Sequence, residues 1–492
     1  MNKLWKAPLW READLGKPIP DSPHAVSVAL PRWEHVVRYE ENDPILLEAL
    51  SCGYPRFVFN PIVNDLFYRC RERFANPNEL CIALPSERVA TRCRQFMAET
   101  QGVQARIEPY GLNHVFVAIF PAEAVGLAKK FWQHYGDIVS SRLALATLEE
   151  RADRGEGREA KQTVRERIAT LTGEVADNVF LYPSGMAALN GALITARERR
   201  PGARTIQLGF PYVDLLHIQT KWGPSREFFP DFGAKSHESV EWLLANESFG
   251  ALFCEHAANP LLQCAELPRL SRALRERGVP LVVDETVASY INADLLPYAD
   301  VIITSLTKYF SGSIDVMGGA LILNSNSPFY NELKTAHAVE YEDRLWWEDA
   351  VTLESNSRDF PDRMRQINAN AEALCDHLRK HPKVQRIYYP KYDTPENYAA
   401  VMRDGAGYGG LFSLLLHDAP NTAPRFYDAL RVSKGPSLGT VFTLACPYTL
   451  LAHYQELEWV ESVGVSPYLV RVSVGLEPIE DLIHRFEAAL SA

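Results

Sequence analysis

No stretch of this 492-residue chain approaches the roughly 18 apolar residues that a membrane-spanning helix needs. The opening Met1-Asn2-Lys3-Leu4-Trp5-Lys6-Ala7-Pro8 lacks the apolar core of an export signal, so export is not expected. Cysteine is sparse and scattered, at positions 52, 70, 81, 93, 254, 264, 375 and 446, with no Cys-x-x-Cys pair. That excludes a disulfide scaffold or a zinc knuckle, predicts no bound metal, and points to free thiols in a reducing cytoplasm. Positive charge is also in deficit. With 51 Lys and Arg against 62 Asp and Glu, the net charge is −11, which argues against nucleic acid or an anionic membrane as partner. There is no P-loop run, which counts against a nucleotide-binding α/β protein, and no internal repeat.

What is present is apolar mass in an alternating order. Hydrophobic residues make up 47% of the chain, ample for large cores, and the length suggests about three domains. Residues 1–138 read as an N-terminal extension with a small α/β unit: strands at 79–85 and 113–121, a helix over 86–99 capped by Ser86, and a helix over about 122–135. The first 75 or so residues are rich in Pro and aromatics with weak periodicity, which predicts ordered but irregular chain. The highly charged segment 148–168 reads as a solvated helix surface around a Gly-containing loop. Residues 139–330 alternate strand candidates (178–182, 204–209, 250–255, 280–284, 300–304, 318–324) with helical patterns such as 267–277. That alternation predicts an α/β fold, a mostly parallel sheet with helices on both faces. Residues 331–492 mix a long helix near 361–381 with strands near 384–389, 410–416 and 469–474, and read as a smaller C-terminal α+β domain.

Two strand ends carry the chemistry. The apolar run 299–304 ends in Ser305-Leu306-Thr307-Lys308, two hydroxyls and an amine, and the run 279–283 ends in Asp284. Strands of an α/β sheet present their carboxyl ends to ligands. An amine beside hydroxyls on one strand end, with a carboxylate on another, suits pyridoxal phosphate (PLP): the lysine forms a Schiff base with the aldehyde, and the acid keeps the pyridine nitrogen protonated. Ser305 and Thr307 are two apart, so both hydroxyls can face one phosphate. In Tyr182-Pro183-Ser184-Gly185-Met186, Gly185 opens a helix whose N–H groups can approach an anion, although a tight strand–helix turn needs Gly as well. Asp284 could equally cap the following helix, and Tyr212 could stack on a pyridine ring or simply fill the core.

In order and spacing, these stretches resemble the cystathionine γ-synthase-like, or Cys/Met-metabolism, group of PLP enzymes over about 140–492. Ser305-Leu306-Thr307-Lys308 followed by Asp315-Val316-Met317-Gly318-Gly319 resembles that family's lysine signature, with Gly312-Ser313-Ile314-Asp315 standing for the usual Gly-His-Ser-Asp. Ser184-Gly185-Met186-Ala187-Ala188, Asp284-Glu285-Thr286, the run 255–260 containing Asn259, Ser437-Leu438-Gly439 and the run 471–477 beginning at Arg471 resemble further family stretches. The resemblance implies the PLP-transferase fold of aspartate aminotransferase type. It also implies roles: Lys308 holding the cofactor and moving protons between Cα and Cβ, Asp284 on the ring nitrogen, Tyr212 on the ring face, and Asn259 near the ring hydroxyl. Gly185, Met186, Ser305 and Thr307 would hold the phosphate, and Arg471 with Ser437 the substrate carboxylate. The family's Tyr-x-Arg, which reaches the phosphate of a neighbouring subunit, is matched by Ser140-Ser141-Arg142: Arg142 keeps the charge and the Tyr is gone. A homodimer or homotetramer with shared active sites follows from that pattern.

The stretches 24–33 and Gly53-Tyr54-Pro55-Arg56-Phe57 resemble the extension of fungal-type cystathionine γ-synthases. Nothing in the extension reads as catalytic; packing or oligomer contact is its expected role. The implied reaction is γ-replacement, joining an O-acyl-L-homoserine and L-cysteine to give L-cystathionine. A γ- or β-lyase or a sulfhydrylase on the same scaffold, and more remotely an inactive PLP-binding regulatory subunit, remain open alternatives, because fold and cofactor residues are common to all of them.

Overall fold

The computed structural model describes residues 3–153 and 155–492. Met1 and Asn2 of the opening stretch, and Arg154 of the charged segment, lie outside the described residues.

The large sheet forms from seven strands: β1 (Val179–Tyr182), β2 (Arg204–Leu208), β3 (Arg226–Phe229), β4 (Phe249–Glu255), β5 (Leu281–Asp284), β6 (Val301–Ser305) and β7 (Gly319–Leu323). Their spatial order is β1-β7-β6-β5-β4-β2-β3. β4, β5 and β6 run parallel, as do β2 and β3 beside them, while β7 is antiparallel to both its neighbours. The central strands are near-continuous apolar runs because helices cover both faces and leave no solvent side to polarise. The helix Leu267–Glu276 shows how that cover is written. Leu267, Leu270 and Leu274 fall on one face and are buried, each worth about 1.5–3 kcal/mol. On the opposite side of the sheet, α1 (Gly185–Arg199) is small and apolar nearly all round and packs beneath β6 and β7.

Register places the polar strand ends together. Asp284 at the end of β5 pairs with Glu255 of β4 and Ile303 of β6, so two carboxylates and the Ser305 hydroxyl share one edge of the sheet.

A second sheet of five strands, in the order 384–388, 411–416, 470–473, 444–447, 433–434, forms the C-terminal unit, with the helix Phe360–Leu378 alongside. The small N-terminal unit is a three-stranded antiparallel sheet, Glu79–Leu84, Val115–Pro121 and Arg106–Tyr110, with helices Glu87–Gln101 and Val125–Tyr135. Ser86 caps the first of these, accepting Val89 N–H at 3.3 Å. The charged segment resolves into a loop and the helix Gly157–Thr172, whose Lys161 and Arg165 pair with Asp343 and whose Arg167 pairs with Glu354.

Residues 25–57 do not form a separate body. Ala25, Val28, Leu30, Trp33, Val36 and Cys52 join the hydrophobic core of the C-terminal unit. Leu30 N–H donates to the Lys434 carbonyl, and Trp33 N–H to Asp428 Oδ1. The extension is thereby carried across the molecule to the polar edge of the large sheet. All eight cysteines are unpaired and buried.

Candidate active site

A cavity of about 910 Å3 opens at the carboxyl ends of β4, β5 and β6. Lys308, Asp284, Tyr212, Gly185, Met186, Ser305, Asn259, Ser437 and Arg471 all line it. Two residues named with them do not. Thr307 is buried with its Oγ1 accepting Gly318 N–H at 3.1 Å, bracing the entry to β7. Arg142 donates to the Asp315 carbonyl at 2.8 Å and to Asp349 at 3.2 Å, so within its own chain it is absent from the lining.

Lys308 Nζ donates to Ser437 Oγ at 2.8 Å and to Tyr54 Oη at 3.4 Å. Burial holds this amine below the ordinary lysine range, with Tyr54 pulling the other way. Ser437 is held at φ 91, in the region that favours glycine. Such strain persists only where the surroundings over-determine it, and here the following Gly439 packs directly on the Lys308 backbone. Across the cavity Arg471 donates from Nη1 to Asn259 Oδ1 at 3.0 Å and from Nη2 to the Ser437 carbonyl at 2.9 Å, with its face 4.5 Å from the Tyr448 ring. No ion pair of Arg471 occurs among the described residues, so a buried cation faces the cavity without its counter-charge.

Asp284 is the complementary case. Burial pushes its carboxyl up from the usual range, partly offset by the Thr286 donors, and among the described residues it has no cation partner. Glu255 is pushed up by burial and by the charge of Asp284. Its two oxygens take Tyr212 N–H at 2.5 Å and Asn259 N–H at 2.9 Å, which fixes both residues at the rim. At the start of α1, Ser184 Oγ caps Ala187 N–H at 3.0 Å, leaving the N–H groups of Gly185 and Met186 without an intrahelical acceptor by position. A Cβ on Gly185 would lie 2.6 Å from Ser305 Cβ, so only glycine lets this turn meet the end of β6.

These residues fit PLP. An unpaired carboxylate stands where a protonated ring nitrogen would relieve its burial, free N–H donors and a hydroxyl stand where a phosphate would sit, and a desolvated amine lies between them.

Of the lining residues that were not expected, two reach Lys308 and Tyr212 from far along the chain. Tyr54 and Arg56 come from the extension, which reads in sequence as packing or oligomer contact. Arg56 is only 3% exposed and forms a fully buried ion pair with Asp214 at 2.5 Å; it also donates to the Gln133 carbonyl at 2.7 Å and to Tyr212 Oη. Asp214 is held below the usual carboxylate range: burial would raise it, but Arg56 and His134 outweigh that. The available signal was local. Tyr54-Pro55-Arg56 carries the Tyr-x-Arg spelling that Ser140-Ser141-Arg142 lacks.

Comparison with known proteins places the chain among PLP-dependent enzymes. A sequence profile described as Cys/Met metabolism PLP-dependent enzyme matches residues 156–491, and one described as fungal trans-sulfuration enzyme, N-terminal domain, matches 62–140. The chain is 36% identical to a cystathionine gamma-synthase-like enzyme of Amanita muscaria, over 97% of this chain and 96% of that one. It is 34% identical to the cystathionine gamma-synthase of Neurospora crassa, over 97% and 98% of the two chains. The crystal structure of cystathionine gamma synthase from Xanthomonas oryzae pv. oryzae, in complex with aminoacrylate and cysteine, superposes with a TM-score of 0.60 at 25% identity, covering 68% of this chain and 86% of that one.

Proposed function

This chain belongs to the Cys/Met metabolism PLP-dependent enzyme family, and we propose that within it the protein catalyses γ-replacement, joining an O-acyl-L-homoserine to L-cysteine to give L-cystathionine. It is a PLP-dependent enzyme of the cystathionine γ-synthase-like kind, acting on small molecules. The observation that carries the finer reading is the unpaired Arg471 facing Lys308 and Asp284 across one cavity of about 910 Å3. Small-molecule sites run from roughly 300 to 1,000 Å3, so this one has room for a cofactor and for two amino acids meeting above it.

PLP, when bound, supplies an electron sink for charge developing on the substrate carbon. Lys308 would hold it, Asp284 would keep its ring nitrogen protonated, and Tyr212 would cover one ring face. Ser305 with the N–H groups of Gly185 and Met186 would take the phosphate, and Asn259 would stand near the ring hydroxyl. The chain's own work is then positioning and proton transfer. Arg471 presents its remaining donors to the α-carboxylate of the substrate, a planar fork that a lysine cannot copy. Lys308 Nζ, freed from the cofactor, is a desolvated amine able to take a proton from Cα and deliver one nearby, and Ser437 Oγ at 2.8 Å holds it in place. The helix 141–148 and Arg142 stand outside this scheme.

The test is product identity. Purified protein is incubated with O-succinyl- or O-acetylhomoserine, with and without cysteine, and products are identified by mass. Cystathionine formed only with cysteine is the expected result and names the acyl donor. Ketobutyrate and ammonia formed regardless of cysteine would replace this reading with an elimination. No product from any O-acylhomoserine would overturn the substrate class.

A further inference from the structure

Glu255 ends β4 as Asp284 ends β5, and the register sets the two carboxylates side by side. Glu255 is 6% exposed, and among the described residues neither acid has an ion pair. Two neighbouring carboxylates out of water disfavour each other's ionised form, so the second one calls for a reason. What it achieves is a double grip. Oε1 accepts Tyr212 N–H at 2.5 Å and Oε2 accepts Asn259 N–H at 2.9 Å. These donors belong to different loops, one after β2 and one after β4. A glutamine could not hold both, since its side chain offers one acceptor oxygen and turns N–H donors toward the other loop. The grip continues outward. Asn259 Oδ1 accepts Arg471 Nη1 at 3.0 Å, Arg471 Nη2 donates to the Ser437 carbonyl at 2.9 Å, and Lys308 Nζ donates to Ser437 Oγ at 2.8 Å. One connected path therefore runs from the paired carboxylates through Arg471 to Lys308.

We infer that Glu255 is a positioning residue that links the cofactor grip to the substrate grip: its ionised carboxylate, by holding Tyr212 and Asn259, sets the Arg471 fork for a substrate carboxylate once a cation on Asp284 has relieved the charge beside it. The inference rests on the reading of this cavity as a PLP site that takes amino acids, and it is independent of the acyl group and of the reaction that follows. The linkage is electrostatic. With Asp284 uncompensated, burial and the Asp284 charge push the Glu255 carboxyl up, which disfavours its ionised form and weakens its hold on the two N–H groups. A protonated ring nitrogen on Asp284 would cancel that repulsion. Glu255 then sheds its proton to water and takes both N–H groups as charge-assisted bonds, about twice as strong as neutral ones. The other groups facing Glu255 keep their charge through this change. Tyr212 from the turn after β2, Tyr448 from the helix 448–453 and Cys254 on its own strand are neutral, each raised by burial. Arg471 is a permanent cation, and its charge favours the ionised form. Filling of the cofactor end is thereby felt at Arg471.

The test measures coupling rather than turnover. Propionate has a carboxylate for Arg471 and no amino group with which to form a Schiff base. Its affinity for the PLP-loaded wild type and for the full-length apoenzyme is measured by calorimetry, and PLP affinity is measured by absorbance with and without propionate. The two ratios must agree, because coupling between sites is reciprocal. Propionate should bind the loaded enzyme about 5- to 150-fold more tightly than the apoenzyme, the usual range for such coupling. In Glu255→Gln the ratio should fall to near one. Glu255→Asp, which keeps the charge and shortens the reach, should lie between. Lowering the pH until Glu255 holds its proton in the loaded enzyme should shrink the wild-type ratio and leave that of Glu255→Gln flat; a side chain that merely filled space would give no such pH dependence. Should Glu255→Gln fail to fold, seen as a lost unfolding transition, the pH series of the wild type and of Glu255→Asp decides. A ratio near one in the wild type, a ratio undiminished in Glu255→Gln, or a wild-type ratio indifferent to acid would overturn the inference. Failure of the wild type to take up PLP would overturn the cofactor reading on which it rests, and none of these outcomes depends on γ-replacement.

Discussion

Replacing Arg471 by lysine should raise KM far more than it lowers kcat. A guanidinium has five N–H donors in a rigid fork. Two are already used, on Asn259 Oδ1 at 3.0 Å and on the Ser437 carbonyl at 2.9 Å, and the stack on Tyr448 at 4.5 Å fixes the plane. The remaining donors are the ones a carboxylate can meet in parallel. A lysine ammonium reaches the same region as a point charge and keeps one such contact at best, while the Asn259 and Ser437 acceptors lose their donor. One charge-assisted hydrogen bond is worth about 1.5–3 kcal/mol. At about 1.4 kcal/mol per factor of ten, Arg471→Lys should cost roughly 10- to 150-fold in kcat/KM. The α-carboxylate keeps its charge through the whole reaction, so the lost binding is uniform and falls mainly on KM. Steady-state kinetics with varied O-acylhomoserine at saturating cysteine measure both constants, and visible absorbance reports whether cofactor is retained. A kcat/KM within threefold of wild type, with cofactor in place, would refute the assignment of Arg471 to the substrate carboxylate.

Three further outcomes are expected. Lys308→Ala should bring turnover to background while PLP remains exchangeable on dialysis; wild-type turnover in that variant would remove Lys308 from the chemistry. Gly185→Ala should weaken PLP binding and destabilise the protein by about 1–3 kcal/mol, the usual cost of overpacking, because the added Cβ meets Ser305 at 2.6 Å; cofactor titration monitored by absorbance checks it, and unchanged affinity would mean the turn shifts freely. His256→Phe should flatten the acid limb of stability. His256 is stacked on Tyr398 with no protein partner on either ring nitrogen, and burial lowers its pKa to about 3. Between its unfolded value of 6.5 and about 3 the unfolded chain binds a proton that the folded chain refuses, so stability falls as pH drops through that window, by about 1.4 kcal/mol per unit. Phenylalanine keeps the stack and removes that proton, and unfolding midpoints from pH 7 to pH 4 should converge less steeply than in the wild type; an identical slope would show that His256 is not refusing the proton.

The large sheet was legible because its central strands carry their own signature: short apolar runs bounded by turns, each ending in a polar residue. Shorter and more polar strands escaped, among them 433–434 and 444–447 of the second sheet and two for which the reason is plain. Arg226–Phe229 lies at the sheet edge with every residue only half-buried, so its composition does not mark it as core. Arg106–Tyr110 contains Pro109, which argues against a strand unless it lies at an edge, where the structure places it. The helix Gly157–Thr172 came out of the charged run because ion pairs to Asp343 and Glu354 occupy what sequence presents only as solvated surface.

By itself the sequence determined the local chemistry of each strand end. Lys308 beside Ser305, Asp284 closing an apolar run, and Gly185 at a strand–helix turn are statements about neighbours in the chain, and period and spacing report neighbours. Tertiary structure decided which distant segment closes the cavity. Tyr54 and Lys308 are 254 residues apart, and no periodicity links them. They meet because residues 25–52 bury their apolar side chains in the C-terminal core, and that burial, not any property of Tyr54, sets where the turn lands. Tertiary structure likewise decided that Arg142, which the resemblance assigned to the phosphate, pairs with Asp349 of the helix Trp347–Asn356.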